Sequence, residues 1–440
     1  MNNSSGNIRV LSVCTSDVSG GAARAAYRIH EGVQARGVES CMFVKHKGSQ
    51  DQDVHPLSEL VPDNPLYNAM DWVASKVKNK QQHWQWSKYP NRSKYYMSDM
   101  RSTRIHGALQ AFDYDVLHLH WVNQRFLPLE ELLKVKKPIV WTLHDSWPFC
   151  GVCHYFLDCD GYKRQCGSCP MLGSDDADDL SHQIWQRKHG IYKNLDLHIV
   201  APSHWLADCA RQSSLFAGLD IRVIPNCLPT EIFSPIDTKA RFVGDETSAE
   251  KRFEKPFVLY GAVAAATDRI KGFSNLLSAL QILDKQGESD FDLVVFGANE
   301  QDSPFSQSNG SAVARLHNMN IRYVGYIHDT DTLVDLYRRA AVMVVPSQTE
   351  NLSCAIMEAM GCGTPVVAFD IGGNGDMIEH LQNGYLARER DDADLAAGIR
   401  WCLDNNRDNR LGTAARKKVL ENFTTEIVSG KYIDLYHSLL

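Results

Sequence analysis

Short runs of β-branched and apolar residues recur along this chain, each bounded by turn residues and followed by a stretch with helical spacing. In the first half the runs are Ile8 to Cys14, Cys41 to Lys45, Val116 to Trp121, Pro138 to Leu143, His198 to Ala201 and Ile221 to Ile224. Between the first two, Ala26, Ile29 and Val33 fall on one face of a helix expected from about Ala22 to Arg36, with Gly37 ending it. Strands that alternate with helices imply βαβ units and hence parallel sheets. The second half repeats the theme, with strands expected at Phe257 to Tyr260, Asp292 to Phe296, Ile321 to Val324, Val342 to Val345 and Val366 to Phe369. Helices are expected at Asn275 to Lys285, Thr332 to Ala340, Cys354 to Met360 and Ala393 to Leu403. The fold class is therefore α/β, with two doubly wound, Rossmann-like domains whose strand ends face each other across a ligand crevice.

A length of 440 residues suits two such domains. The aperiodic stretch from Leu228 to Lys255 reads as the linker. The expected division is residues 1–227, linker 228–255, residues 256–413, and two C-terminal helices over 414–440 that cross back to the first domain. No internal repeat suggests a solenoid or propeller.

Composition narrows the function classes. Hydrophobic residues at 44% and charged residues at 22% are those of a globular protein. A net charge of −7 argues against a nucleic-acid binder. No apolar run approaches the ~18 to 20 residues of a membrane span. The N-terminal segment does not read as a secretory signal, so a cytoplasmic, reducing compartment is expected. There the twelve cysteines are thiols or metal ligands.

The most informative segment runs from Ser347 to Met360, after the strand that ends at Val345-Pro346. Ser353 is placed to cap a helix, leaving the N–H groups of Leu352, Ser353 and Cys354 for an anion. Glu350 precedes that helix and Glu358 lies within it. Eight residues of helix span about 12 Å, so the two carboxylates cannot share one proton or one metal. They suit the two sugar ends of one ligand with an anionic centre, as in ribose–diphosphate–hexose. Two ordinary glutamates would give the same spacing.

A second strand–helix junction carries Thr267-Asp268-Arg269-Ile270-Lys271-Gly272-Phe273. Arg269 and Lys271 are cations at a strand's C-terminal end, where they can offset charge growing on a departing diphosphate. An exposed basic loop is the plain alternative. The first strand leads into Ser19-Gly20-Gly21-Ala22-Ala23-Arg24, where Gly20 and Gly21 allow close approach of a ligand to the backbone. The spelling is not that of a dinucleotide fingerprint.

Together these segments resemble the family 4 retaining glycosyltransferases of the GT-B fold. The family's pair of glutamates eight apart is here Glu350 and Glu358, in a context closed by Gly361-Cys362-Gly363-Thr364-Pro365. Its basic pair is Arg269 and Lys271. Gly20-Gly21, the His118-Leu119-His120-Trp121 strand and the His144-Asp145-Ser146-Trp147 turn resemble the subgroup of bacterial exopolysaccharide clusters, of colanic-acid type. The resemblance implies a nucleoside-diphosphate sugar donor and no catalytic metal. Glu350 would meet the hexose and Glu358 the ribose, with Gly20, Gly21, Asn351, Leu352 and Ser353 also on the donor. Arg269 and Lys271 would hold the diphosphate, and His144 would touch the transferred sugar. His120 and Asp145 would lie on the acceptor side. The family often has Gly-Phe where this chain has Asn351-Leu352.

Other features keep two readings. Cys153, Cys159, Cys166 and Cys169, with Cys150 near, could hold a structural zinc, or could be free thiols or local disulfides in a compact loop. His118, His120 and His144 could be packed core imidazoles. Asp113-Tyr114-Asp115 spells a metal motif but precedes its strand, where a crevice ligand should follow one. Asp175, Asp176, Asp178 and Asp179 read as a solvated charge run. The aromatic and basic stretch from His83 to Tyr96 could meet a membrane interface, stack on an acceptor sugar or pack on the domain.

The expected activity is transfer of a hexose, without a catalytic metal, to a growing glycan. A lipid-linked acceptor would bring the protein to the inner face of the cytoplasmic membrane. A nucleotide-sugar epimerase of the same architecture and a non-catalytic nucleotide- or glycan-binding scaffold are the alternatives.

Overall fold

The computed structural model describes residues 7–60, 73, 76, 80, 86–91, 107–236, 255–262, 265, 267–302, 316 and 318–440. It divides into two compact units, one of Met1–Pro225 with Val428–Leu440 and one of Asn226–Ile427.

The first unit is built on a parallel sheet of β1 (Arg9–Ser16), β2 (Glu39–His46), β3 (Val54–Pro56), β4 (Val116–Leu119), β5 (Ile139–Thr142), β6 (Leu197–Ala201) and β7 (Ile221–Val223). Their order is β3-β2-β1-β4-β5-β6-β7, so the chain reverses direction between β1 and β4. Helix α1 (Gly21–Gln34) follows β1, and α2 (Leu180–Tyr192) and α3 (His204–Gln212) flank β6. Successive strand residues serve opposite faces. Leu11, Val13, Leu117 and Leu119 enter a large core with Trp141 and Trp147. Cys14, Met42 and Val44 face Ala23 and Ala26 of α1.

The second unit has six parallel strands in the order β10-β9-β8-β11-β12-β13. They are β8 (Phe257–Gly261), β9 (Asp292–Phe296), β10 (Ile321–Gly325), β11 (Val342–Val345), β12 (Val366–Phe369) and β13 (Gly384–Ala387). Helices are α4 (Phe273–Lys285), α5 (Thr330–Arg339), α6 (Cys354–Gly361), α7 (Asp392–Asn405) and α8 (Arg410–Asn422). Leu259, Val294, Met343 and Val366 pack toward α5, α6 and α8, while Val258, Leu293, Val344 and Val367 pack toward α4 and α7. Burial on both faces explains why these strands read as continuous apolar runs.

The last helix, α9 (Thr425–Ser438), belongs mainly to the first unit. Tyr432 donates or accepts a bond with Thr142 Oγ1 at 3.0 Å, and Tyr436 bonds His118 Nδ1 at 2.7 Å. The structure thus differs from the sequence boundaries in two places. The other C-terminal helix, α8, packs in the second unit rather than crossing back. The start of the expected linker is also second-unit core, because Leu228 and Phe233 are buried there and Arg416 holds the carbonyl of Thr230 at 2.8 Å. The rest of that linker, residues 237–254, lies outside the described residues.

Candidate active site

In each sheet the reversal of strand order opens a gap at the carboxyl ends, which is where doubly wound folds take ligands. In the second unit the reversal falls between β8 and β11. The two segments singled out from the sequence leave those two strands.

After β8 the chain makes a short turn, Arg269–Lys271, capped by Asp268 Oδ1, which accepts from Ile270 N at 3.1 Å. Gly272 then takes φ 71°, a left-handed conformation, and a Cβ there would stand 1.7 Å from the carbonyl oxygen of Pro346. The loop after β8 is thereby pressed onto the loop after β11, and Gln348 N donates to Ile270 O at 2.8 Å. This contact brings Lys271 Nζ to 3.4 Å from Glu350 Oε2, with side chains only 25% and 17% exposed. A third loop, after β12, closes on the same place. Gly372 turns left-handed against Glu350 O, and Gly373 N donates to Asn351 O at 2.9 Å.

Asn351 is not among the residues at positive φ, so the glycine the family often has here is not needed for this path. Leu352 is buried, with its carbonyl accepting from Asn226 Nδ2 at 3.4 Å. Ser353 occupies the N-cap position of α6, but its side chain makes no capping bond. This corrects the expected cap: the hydroxyl does not compete for the first-turn amides, and an anion there would meet them directly. Glu358 is 3% exposed inside α6, and its Oε2 accepts from Tyr337 at 3.2 Å. The structure thus joins Lys271 to Glu350 and seats Glu358 one helix turn and more away, against α5.

In the first unit Gly20 and Gly21 start α1. Gly20 has φ 93°, and a Cβ at either glycine would meet nothing within 4 Å. The loop before them is held by the buried Asp17, whose two oxygens accept from Gly48 N (2.8 Å) and Ser49 N (2.9 Å). His118 points into the core between Thr142 and Tyr436, as a packed histidine would, and burial drops its pKa to about 3. His120 Nδ1 lies 3.1 Å from His144 Nε2. Burial, then the neighbouring imidazoles, hold His120 far below the ordinary histidine range, and burial takes the partly exposed His144 down to about 4. All three are neutral near pH 7.

Asp145 is the hub beside them. Its Oδ2 accepts from Trp121 Nε1 at 2.7 Å and lies 2.5 Å from His154 Nδ1, and its Oδ1 accepts from Trp147 N at 2.9 Å. Burial pushes its carboxyl up, but His154 and these donors outweigh that and hold it low. Sequence reasoning missed His154. The only available signal was its place next to Cys153, in the cysteine-rich loop that follows the His144-Asp145 turn.

That loop holds Cys150, Cys153, Cys159, Cys166 and Cys169 around one small cavity, and all twelve cysteines are free thiols. The local-disulfide alternative therefore falls. Asp179 is also corrected. It is 1% exposed, caps α2 through Ser181 N and His182 N, and accepts from Cys169 N at 2.8 Å. Asp115 and Asp113 are taken up by Arg9, so the metal-like spelling is an ion-pair cluster ahead of β4. Of the aromatic stretch, Trp86 and Tyr89 pack on the first core, and the Tyr89 hydroxyl accepts from Leu180 N at 2.8 Å. Residues 81–85 and 92–96 lie outside the described residues.

Two family models match in tandem. The one described as Glycosyltransferase Family 4 covers residues 19–232, and that described as Glycosyl transferases group 1 covers residues 245–418. This chain is a glycosyltransferase of the GT-B fold. The glycosyltransferase is 26% identical over 363 residues to a putative colanic acid biosynthesis glycosyl transferase of Escherichia coli, covering 79% of this chain and 80% of that one. It is 25% identical over 227 residues to N-acetyl-alpha-D-glucosaminyl L-malate synthase of Bacillus anthracis, covering 50% and 56%. Among solved structures, a sucrose-phosphate synthase of Thermosynechococcus elongatus superposes with a TM-score of 0.63 at 19% identity over 98% of this chain and 99% of that one. Anabaena HepE in complex with UDP and glucose superposes with a TM-score of 0.63 at 16% identity over 98% and 100%. No described helix is long and apolar enough to cross a membrane.

Proposed function

We propose that this glycosyltransferase moves a hexose from a nucleoside-diphosphate sugar to a hydroxyl of a growing glycan, retaining the anomeric configuration. In this reading Arg269 and Lys271 stand where other enzymes place a catalytic metal. The observation that carries it is the meeting of Lys271 and Glu350 at the switch point of the second sheet. As the C1–O bond to the diphosphate breaks, negative charge grows on the departing oxygen, and fixed cations there favour the transition state over the ground state. The new C1–O bond forms on the same face, and the departing phosphate takes the acceptor proton. Glu350 accepts from hexose hydroxyls while orienting Lys271, and Glu358 accepts from the ribose. The neutral His144 hydrogen-bonds the transferred sugar, and His120 and Asp145 line the acceptor side.

Anabaena HepE binds UDP and glucose on a similar fold, which supports a uridine or similar nucleotide donor. The colanic acid relative supports a part in exopolysaccharide synthesis. A lipid-linked acceptor would bring the enzyme to the inner face of the cytoplasmic membrane. Incubation with a panel of nucleotide sugars, with and without acceptor glycans and in the presence of EDTA, tests the whole reading. Transfer that needs acceptor and survives EDTA is expected. Donor isomerised without acceptor, or activity lost to EDTA and restored by Mn²⁺, would overturn it.

A further inference from the structure

The loop between β5 and α2 contains a cage that the transfer reaction does not use. Cys150, Cys153, Cys159, Cys166 and Cys169 line a cavity of about 20 Å³, completed by Tyr162 and neighbouring residues. That is space for about one water-sized sphere. A buried water needs two to four polar partners, and thiols are poor ones. The one hydroxyl from α2 at the wall, Ser181, is committed: it donates to Asp179 Oδ1 at 2.6 Å and accepts from Gly167 N at 2.9 Å. A soft cation suits a sulfur-lined cavity of this size better than water does.

The backbone is already arranged for thiolates. Gly161 N points at Cys159 Sγ (3.4 Å) and Gly151 N at Cys166 Sγ (3.3 Å). Cys166, Gly167 and Ser168 are successively left-handed, at φ 53°, 104° and 43°. Two non-glycine residues in that region cost on the order of 1–3 kcal/mol each and persist only where the surroundings hold them. They fold the Cys166-x2-Cys169 pair into a tight knuckle. Gly151 and Gly167 let it press on the start of α2, since a Cβ on either would strike the carbonyl of Ser181 or of Ala177. Behind the cage the ammonium of Lys188, fully buried, is held by the carbonyls of Cys150 and Gly151 at 2.9 and 3.0 Å.

We infer that Cys153, Cys159, Cys166 and Cys169 bind one structural Zn²⁺. As the thiols stand, no group of three or more metal-binding side chains among the described residues meets at ligand spacing. The ion draws them in, because one torsion swings each sulfur and Zn–S bonds of about 2.3 Å span the cavity. Binding releases the four thiol protons and leaves a tetrathiolate of net charge −2 beside the Lys188 ammonium. The metal fixes the segment that carries His154 onto Asp145, so its role is to hold the first-unit site in shape.

The test is metal analysis of the full chain purified under a phosphine reductant. About one zinc per chain is expected, with displacement by Co²⁺ giving intense sulfur-to-cobalt charge-transfer absorption and visible bands of a tetrahedral site. Cys150→Ser should keep the metal and Cys169→Ser should lose it. Reduced wild-type chain that carries no zinc and gives no cobalt spectrum would overturn the site, whatever the variants do. Metal lost from Cys150→Ser but kept by Cys169→Ser would overturn the ligand set.

Discussion

Lys271 and Glu350 form a partly exposed pair, and such pairs contribute at most about 1 kcal/mol to stability. Changing either should therefore read out on catalysis rather than folding. Lys271→Ala is expected to lower kcat by roughly two to three orders of magnitude, the size of losing one preorganised charge stabiliser, with an unchanged melting temperature. Turnover near the wild-type rate would remove the cation from the reaction. The two glutamates should separate kinetically. Glu358 is assigned to the ribose, whose contacts are the same before and during bond breaking, so Glu358→Gln should raise donor KM and spare kcat. Glu350 is assigned to the sugar that changes, so Glu350→Gln should depress kcat more than it raises KM. Steady-state kinetics with one donor decides, and the reverse pattern would exchange the two roles. Because Glu358 also accepts from the buried Tyr337, a thermal melt of Glu358→Gln separates a folding loss from a binding one.

The elements that build the site are held by backbone approach more than by side-chain bonds. Gly272 has no alternative: its φ is left-handed and a Cβ would overlap the Pro346 carbonyl. Gly272→Ala should separate the loops after β8 and β11, lowering the unfolding free energy by about 1–3 kcal/mol and the activity with it. Denaturant unfolding of this variant beside Gly287→Ala checks the claim, because Gly287 is also left-handed but open to solvent-side space. If both cost the same, the close contact contributes nothing. Much of this is readable in the sequence, since the strand-to-helix junctions after Val345 and Tyr260 follow from apolar runs and the turn residues that bound them. Less readable were β3 and β13, three and four residues long, in which a proline or a glycine hides the β pattern. Helix α2 was hidden by Lys188, which stands on its core face among Ile184, Trp185 and Ile191 where periodicity calls for an apolar residue. The Lys271–Glu350 pair joins residues 79 apart, and no local spacing announces that. Ser353 looked like a cap because residue type was all there was to judge by.

Across the molecule, three buried or partly buried histidines of the first unit make its stability sensitive to acid. His118, His120 and His144 are neutral in the folded chain, with pKa values pulled below the unfolded value of about 6.5. As pH falls below about 6.5 the unfolded chain takes up protons that the folded one refuses. Stability is therefore lost from there down toward the folded values of about 3 and about 4 for His118 and His144. Each histidine contributes a slope of up to about 1.4 kcal/mol per pH unit, with the partly exposed His144 the least. Urea midpoints at about pH 7 and about pH 5 should differ accordingly, and a His118→Asn, His120→Asn variant should flatten the dependence. A pH-independent midpoint would mean these imidazoles are not buried neutral.

His118 is also bonded to Tyr436, 318 positions further along the chain. A ribosome adding about 5–20 residues per second needs roughly 15–60 s to make that stretch. For all of that time the first domain to emerge lacks its last helix, with His118 and Thr142 without their tyrosines. The second domain lies entirely within the intervening chain, so it can finish folding before the first one does. A nascent chain that has just released Ile427 from the ribosome would thus carry a complete second domain and a first domain still waiting to close.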